Sequence, residues 1–232
     1  MSRIVDLSYP IEPHWRHTFF NELIVHENFE YKEGDYGRYW HDAYIHINSH
    51  AFTHLDAPLH FTPGAKSLDQ MPLETWAGRA VIVDLSYKKD DEGITAEDLE
   101  KQGQKIQRGD IAIMMTRFDE RCSIKERRFW QHFPYMERSA CEWLVGRGIK
   151  AYGVDFPPDY STRYFVSEKP ERAIPDQEEF TTHFAFLPRE IGIIEYLCNL
   201  GALRRDVVQL YALPLKIIGL DGCPARVIAV ED

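Results

Sequence analysis

The spacing of hydrophobic and polar positions predicts a series of short strands separated by polar turns. Most apolar runs are about four to eight residues long and are bounded by Gly, Pro or Asp, which is typical of strands in a globular sheet. The predicted strands are Ile4–Leu7, Tyr44–Ile47, Ala80–Leu85, Asp110–Thr116, Lys150–Asp155, Val207–Ala212 and Arg226–Val230.

Two helices are predicted between these strands. Thr95–Gly103 has a threonine at the N-cap position, acidic residues in its first turn and a closing glycine. Glu137–Val145 places Ala140, Trp143 and Leu144 on one face and is followed by a glycine. Because helices and strands alternate only in part, the pattern predicts a mixed α/β fold without a regular βαβ repeat.

The chain shows no internal repeat and no low-complexity linker, so we expect a single domain over residues 1–232. Its longest weakly periodic stretch, Pro157–Thr182, is polar and proline-rich. Loops of that length inside a compact domain are often functional, so this stretch is predicted to be a long surface loop or lid.

The composition of the chain indicates which kinds of binding partner to expect. The formal net charge of −10 argues against general binding of nucleic acid or anionic membranes, both of which need a basic surface. No apolar stretch approaches the length of a membrane span, and the first residues lack the apolar core of a signal peptide. The 4 cysteines are scattered, which favours reduced thiols, so a cytoplasmic location is expected.

Arg117–Arg138 has an alternative interpretation, because it mixes basic residues with aromatic ones, a pattern that can bind single-stranded nucleic acid. Four acidic residues dilute its charge. We therefore favour an amphipathic segment whose aromatic rings serve packing or subunit contact.

The chemistry of the chain is concentrated between residues 41 and 60, which contain 5 of its 10 histidines. Imidazole is the commonest metal ligand in proteins. In a fully extended strand, His50 and His54 would lie about 13 Å apart, too far for one metal. The sequence therefore predicts a strand running into a tight loop, where His50, His54 and Asp56 converge and His60 lies slightly farther off.

A further ligand is expected from outside this segment. His183 is a better candidate than His132, because Glu195 follows it within an otherwise apolar run where a carboxylate is costly to bury without a cation. Mixed nitrogen and oxygen donors suit Zn²⁺, Mn²⁺ or Fe²⁺. His41 and His46 are interpreted as structural residues.

These residues also carry a family resemblance. The run His50-Ala-Phe-Thr-His54-Leu-Asp56-Ala-Pro-Leu-His60-Phe resembles the His-x-Gly-Thr-His-x-Asp-x-Pro-x-His signature of the cyclase-like metal-dependent hydrolases, a family that includes bacterial kynurenine formamidase and isatin hydrolase. The resemblance extends over nearly the whole chain. The other matching stretches are residues 67–72, 78–85, 109–116, 148–155, 183–195 and 213–226.

The resemblance implies a role for each candidate. His50 and His54 would hold one metal ion with Asp56, while Asp56 and Glu195 would bridge to a second site that includes His183. It further implies His60 as general acid and base, a swivelling β/β/α-type fold with a mixed or barrel-like sheet flanked by helices, and a homo-oligomer (a dimer or tetramer). The cofactor would be one or two divalent ions, Zn²⁺ or Mn²⁺.

Two positions depart from the family pattern. Phe52 replaces the signature glycine, so either the loop differs locally or the ring fills part of the substrate pocket. The aromatic residue near the N-terminus that contacts substrate in the family is not clearly reproduced, and Trp15 is its possible counterpart. Both residues are candidate substrate contacts.

The activity implied by the resemblance is hydrolysis of an amide, lactam or lactone bond in a small, aromatic or cyclic substrate. Two alternatives stay open. His54, Asp56 and His183 also fit the 2-His-1-carboxylate pattern of non-haem Fe(II) oxygenases. Alternatively, the chain binds metal without catalysis, with Phe52 blocking the pocket. We find no serine-hydrolase or nucleotide-binding signature.

Overall fold

The computed structural model describes residues 2–12, 24–26, 44–166 and 180–232. The strands in these ranges are β1 Arg3–Asp6, β2 Ile24–His26, β3 Tyr44–His46, β4 His54–Asp56, β5 Ala77–Asp84, β6 Gly93–Ile94, β7 Ile111–Met115, β8 Tyr135–Met136, β9 Ala151–Val154, β10 Gly192–Glu195, β11 Val207–Ala212, β12 Gly222–Pro224 and β13 Val227–Glu231. The α-helices are α1 Ala96–Gln102, α2 Phe118–Arg121, α3 Arg138–Arg147, α4 Thr162–Val166 and α5 Thr181–Phe186.

Nine strands form one mixed sheet in the order β1-β13-β11-β5-β7-β9-β10-β4-β12. The four central strands, β5, β7, β9 and β10, are parallel, and the strands on both sides of them pair antiparallel. The sheet curls into a half-barrel flanked by helices. The expected mixed α/β architecture with a barrel-like sheet is therefore confirmed.

The sheet is covered on both faces, which explains the nearly continuous apolar runs of its central strands. Along β5, Val81 and Val83 pack into the cluster that contains the helices, while Ala80 and Ile82 pack into the second cluster on the opposite face. This alternation follows from the two-residue period of a strand. Both clusters converge on β10, so that strand is held from both sides.

Each predicted strand is found within one or two residues of its expected ends, except that β5 begins three residues early. Both predicted helices are present, with Thr95 accepting a hydrogen bond from the Asp98 amide as the N-cap of α1. Helix α3 continues past Gly146 and ends at Gly148, which adopts a left-handed conformation (φ 71°). The second glycine ends the helix because it reaches positive φ without a steric cost.

The region predicted as a long surface loop differs from that expectation. Residues 157–161 are buried, and α4 follows them. Residues 167–179 lie outside the described part of the chain. Phe129, Trp130 and Phe133 are fully buried in the helix-side cluster, which confirms a packing role for the aromatic residues of Arg117–Arg138. No described helix is long and apolar enough to cross a membrane.

Close packing at the start of β10 gives a first testable prediction. A Cβ added to Gly192 would lie 2.4 Å from the ring of Trp76, which is fully buried. Gly192→Ala is therefore expected to lower the free energy of unfolding by about 1–3 kcal/mol. For a chain of this size, each kcal/mol lowers Tm by about 2–4 °C.

Gly146→Ala is the matched control, because a Cβ at that helical position meets nothing within 4 Å. It should leave Tm unchanged or raise it slightly, since alanine favours helix. A thermal melt of both variants checks the difference, and a Gly192 variant as stable as wild type would contradict the packing described here.

Candidate metal centre and active-site cavity

Strands β4 and β10 place three polar side chains on one face of the sheet. The two strands pair antiparallel, with Glu195 opposite His54. Leu55 and Ile194 are also opposite each other and pack into the apolar cluster on the other face. Because side chains alternate between the two faces of a sheet, His54, Asp56 and Glu195 lie together on the face opposite Leu55 and Ile194.

A tight turn before β4 supplies His50. The His50 amide donates to Asn48 Oδ1 (2.8 Å), and the Ala51 amide donates to the Asn48 carbonyl (3.2 Å). The His50 ring then lies with Nδ1 2.7 Å from Asp56 Oδ1. The sequence predicted a strand running into a tight loop, and β3 does run into the turn before β4. The difference is that His54–Asp56 form a further strand after that turn. His54 and Asp56 meet through their two-residue spacing rather than through a curl of the chain.

Phe52 keeps the backbone conformation that a glycine would favour, with φ at 59°. Its carbonyl accepts a hydrogen bond from His54 Nδ1 (2.8 Å), which fixes that ring. The side chain is 1 % exposed and belongs to the core. Phe52 is not among the described residues that line the cavity. A contact between Phe52 and substrate stays a prediction, whereas its carbonyl positions the His54 ring.

Helix α5 carries His183 to the same face. Its Nδ1 pairs with Asp159, and Asp159 also accepts hydrogen bonds from the amide and hydroxyl of Thr182 (2.7 and 2.8 Å). With Nδ1 held by Asp159, Nε2 points to the carboxylates, 3.2 Å from Glu195 Oε1 and 3.6 Å from Asp56 Oδ2. A carboxylate behind a histidine in this way orients metal ligands in many proteins.

The two carboxylates at the centre are deeply buried, Asp56 at 0 % and Glu195 at 4 % exposure. Asp56 Oδ2 and Glu195 Oε1 accept no hydrogen bond from any described residue. An ionised carboxylate without full hydrogen bonding is costly to bury. Two buried oxygens facing imidazole nitrogens therefore fit a divalent cation, which would satisfy both.

The local charges reinforce this arrangement. Burial alone would raise the pKa of Asp56, but the neighbouring His54 and His50 rings hold it well below its usual range. Burial alone would lower the pKa of His50, yet the charges and hydrogen bonds of Asp56 and Asp221 raise it to about 10. Asp159 likewise raises the pKa of His183 above its ordinary value despite burial. The protons on the His50 and His183 rings thus supply positive charge beside the carboxylates, and a bound cation would replace them.

Three overlapping sets of donor atoms lie close enough for one ion, each within 4.8 Å. They are His50, His54 and Asp56; Asp56, His60 and His183; and His50, His60 and Asp221. His50, Asp56 and His60 each belong to two of the sets, and Asp56 is the fully buried one of the three. Glu195 is in none of the sets, but it lies 3.2 Å from His183 Nε2 and 3.6 Å from His54 Nε2. The five predicted ligands and His60 therefore lie together in one cluster.

His60 follows β4 in a short 3₁₀ helix, Pro58–His60. Its ring stacks on the His50 ring, with centroids 3.9 Å apart and planes 28° apart. Its Nδ1 lies 3.1 Å from Asp221 Oδ2. Burial lowers the pKa of His60, more than the nearby carboxylates raise it.

A cavity of about 500 Å³ opens above these residues. Its lining includes the histidines and carboxylates, together with an aromatic wall formed by Phe61, Phe165 and Phe180. Tyr196 also lines the cavity, with its ring next to His54. The rings of Phe61 and Phe180 lie 5.3 Å apart, and the Phe61 ring lies 4.4 Å from the His183 ring. This wall suits a small, flat, apolar group.

The remaining candidates lie elsewhere. Trp15 and His41 are outside the described residues. His132 is 57 % exposed in its side chain and pairs with Asp91 (2.9 Å), and His46 is also exposed, so neither belongs to the cluster.

Sequence reasoning missed two carboxylates that contact the cluster, Asp159 and Asp221. Asp159 follows two prolines, and Asp221 stands between Leu220 and Gly222 in a largely apolar stretch, so both have the turn-forming neighbours that many surface turns share. The available signal for Asp221 was its place in the C-terminal stretch 213–226, which matched the family without a role attached. Only the tertiary structure shows that it reaches His50 and His60.

Two curated proteins are similar to this chain over most of its length. The kynurenine formamidase of Bacillus thuringiensis (strain Al Hakam) is 27 % identical over 182 residues, covering 78 % of this chain and 76 % of its own length. Cyclase-like protein 1 of Arabidopsis thaliana is 29 % identical over 193 residues, covering 80 % of this chain and 68 % of its own.

A solved structure shares the fold. Isatin hydrolase A from Labrenzia aggregata, bound to benzyl benzoate, superimposes with a TM-score of 0.74 at 24 % identity, covering 99 % of this chain and 93 % of that protein. At that identity the likeness establishes the architecture. The family model of Cyclase matches residues 5–158, well over half of the sequence, and this chain therefore belongs to the Cyclase family.

Proposed function

We propose that this protein is a metal-dependent hydrolase that opens an amide, lactam or lactone bond in a small aromatic or cyclic substrate. The observation that carries the proposal is the pair of buried carboxylates, Asp56 and Glu195, whose unsatisfied oxygens face imidazole nitrogens at the floor of a cavity. The formamidase and isatin hydrolase similar to this chain support a hydrolytic use of that site.

The donors divide naturally between two positions. His50, His54 and Asp56 would hold one cation, and Asp56 and Glu195 would bridge to a second one held by His183. A divalent ion bound there supplies a Lewis acid that polarises a carbonyl and lowers the pKa of water. We propose Zn²⁺ or Mn²⁺, since both accept mixed nitrogen and oxygen donors.

His60 supplies the proton transfers. Its Nδ1 is directed to Asp221, so Nε2 is the nitrogen left to take a proton from the attacking water. The same nitrogen returns that proton to the leaving nitrogen or oxygen, so the residue ends the cycle as it began. Transfers of this kind contribute about 10²–10⁴-fold in rate.

The aromatic wall argues for a ring in the substrate. Phe61, Phe165 and Phe180 present apolar surface beside the donors, so a planar group would stack there with its scissile bond over Asp56. Aromatic pairs of this kind add about 0.5–1.5 kcal/mol beyond area burial.

Two observations weigh against the alternatives. An oxygenase triad of His54, Asp56 and His183 leaves His60 and Glu195 without a use, although both lie at the same cavity. A pocket blocked by Phe52 does not fit a side chain that is 1 % exposed and is not among the described residues lining the cavity. A homo-oligomeric assembly and a cytoplasmic location stay predictions.

The proposal is tested first by a substrate panel. Purified protein loaded with Zn²⁺ or Mn²⁺ is expected to hydrolyse at least one of N-formylkynurenine, isatin and simple aromatic lactones. Activity should disappear on chelation and return with metal. If the metal-loaded protein hydrolyses none of them while consuming oxygen with a 2-oxo acid, the oxygenase interpretation replaces this one.

Variants separate binding from catalysis. His60→Ala should retain metal but lose about 10²–10⁴-fold in kcat, because the proton carrier is gone while the ligands stay. Asp56→Ala or His54→Ala should lose metal as well as turnover. Elemental analysis beside steady-state kinetics checks both, and unchanged turnover in the His60 variant would refute its role.

Metal binding should also release protons. Since the pKa of His50 is raised to about 10 and that of His183 is raised too, both rings carry protons at pH 7 in the metal-free protein. A cation needs the neutral imidazole, so binding expels about one or two protons and tightens as pH rises toward 10.

Calorimetric titration in buffers of different ionisation enthalpy measures this release. His132→Gln is the control, because His132 lies outside the cluster. On binding metal, this variant should release the same number of protons as wild type. Heats that do not depend on the buffer would contradict the charge state assigned to the two ligands.

A further inference from the structure

Asp221 joins two imidazoles through one oxygen. Its Oδ2 lies 2.9 Å from His50 Nε2 and 3.1 Å from His60 Nδ1. The two rings stack face to face, with centroids 3.9 Å apart. A single carboxylate oxygen therefore serves a proposed metal ligand and the proposed proton carrier at once.

The turn that carries Asp221 is fixed to the segment around His60. The Asp221 carbonyl accepts from the Ala57 amide (2.8 Å), and the Leu220 carbonyl accepts from the Leu68 amide (2.9 Å). The Gly219 amide donates to Asp69 Oδ1 (2.9 Å). These bonds attach the turn on both sides of the Pro58–His60 helix, so the carboxylate and the His60 ring are held on one frame.

Gly222 leaves space for the His50 ring. It pairs with Asp56 across β12 and β4, and a Cβ built on it would lie 2.4 Å from Cε1 of the His50 ring and 2.7 Å from its Nδ1. The ring thus occupies the space that a side chain would fill. Asp221 fixes the edge of this ring, and Gly222 lets the ring lie against the strand.

We propose that Asp221 is a positioning residue that sets which nitrogen of each ring faces the cavity. It accepts the Nδ1–H of His60, which leaves Nε2 unprotonated and free to exchange a proton with the reacting groups. It accepts from His50 Nε2, which directs Nδ1 to Asp56. Asp221 itself keeps its charge throughout and takes no proton in the reaction.

The catalytic part of this inference rests on the proposed function. The assignment of the Nδ1–H tautomer to His60 does not, because it depends only on the contact with Asp221. In water, neutral histidine prefers the proton on Nε2, so an Nδ1–H tautomer at His60 requires a fixed acceptor such as Asp221. The tautomer therefore reports on Asp221 even in a protein whose substrate is unidentified.

The test compares wild type with Asp221→Ala and with Asp221→Leu. Leucine resembles aspartate in branching but accepts no hydrogen bond, and it supplies a second variant if the alanine protein does not fold. Asp206→Asn is the matched control, since Asp206 is exposed and pairs with Lys105 far along the sheet. Each protein is labelled with ¹⁵N-histidine and loaded with Zn²⁺, and the His60 signal is assigned by its loss in His60→Gln.

We expect the His60 nitrogens of wild type and of Asp206→Asn to show the Nδ1–H tautomer, and those of both Asp221 variants to shift toward Nε2–H. The kcat of the Asp221 variants should fall about 10–100-fold, with KM little changed. Gly222→Ala should weaken Zn²⁺ binding by about 10–100-fold, because it displaces His50 while leaving the carboxylate in place.

An Nε2–H tautomer at His60 in wild type, or a tautomer and kcat that survive the loss of the Asp221 carboxylate, would overturn the inference. If wild type hydrolyses a substrate and the Asp221 variants match it, only this inference fails. If wild type hydrolyses nothing in the panel, the proposed function fails, and the ¹⁵N spectra still decide the role of Asp221.

Discussion

The burial of Asp56 is the constraint on which the rest of the site depends. A fully buried carboxylate survives only where positive charge or hydrogen-bond donors compensate for the lost water. Three imidazoles converge on it, from the turn before β4, from β4 itself and from α5. The strand order places Glu195 beside it, so a second carboxylate adds to the charge that must be balanced.

Each of these imidazoles is fixed by a hydrogen-bonding group on the side away from the shared carboxylates. His54 donates to the Phe52 carbonyl, His183 pairs with Asp159, and Asp221 holds His50. Such contacts limit how far the rings can turn, so their free nitrogens stay directed to the shared carboxylates. The resulting cluster is a preorganised set of donors, and the aromatic wall above it restricts what can approach.

Much of this was predictable from the sequence, because strand periodicity and the His50–His60 spacing are local signals. The five candidate ligands and His60 were named from residue type, spacing and family pattern, and the structure brings them into one cluster. The turn around Phe52 was not, since a buried phenylalanine at positive φ is held by tertiary packing that outweighs its local preference.

Asp159 and Asp221 were missed for a related reason. An acid beside proline or glycine carries no local sign of its partner. These two find theirs across 24 and 161 to 171 residues of chain. Residues 157–161 were likewise expected at the surface because their polarity suits a loop. Asp159 can be buried among them because it accepts a hydrogen bond from the Thr182 amide and pairs with His183.

The central claim is that the unsatisfied oxygens of Asp56 and Glu195 are cation ligands. Anomalous diffraction from a crystal grown with Mn²⁺, recorded on both sides of the manganese absorption edge, tests it most directly. The account predicts an anomalous peak bonded to Asp56 and to at least one of the facing imidazoles. Well-ordered donors with no peak between them, still paired as ions with one another, would contradict it.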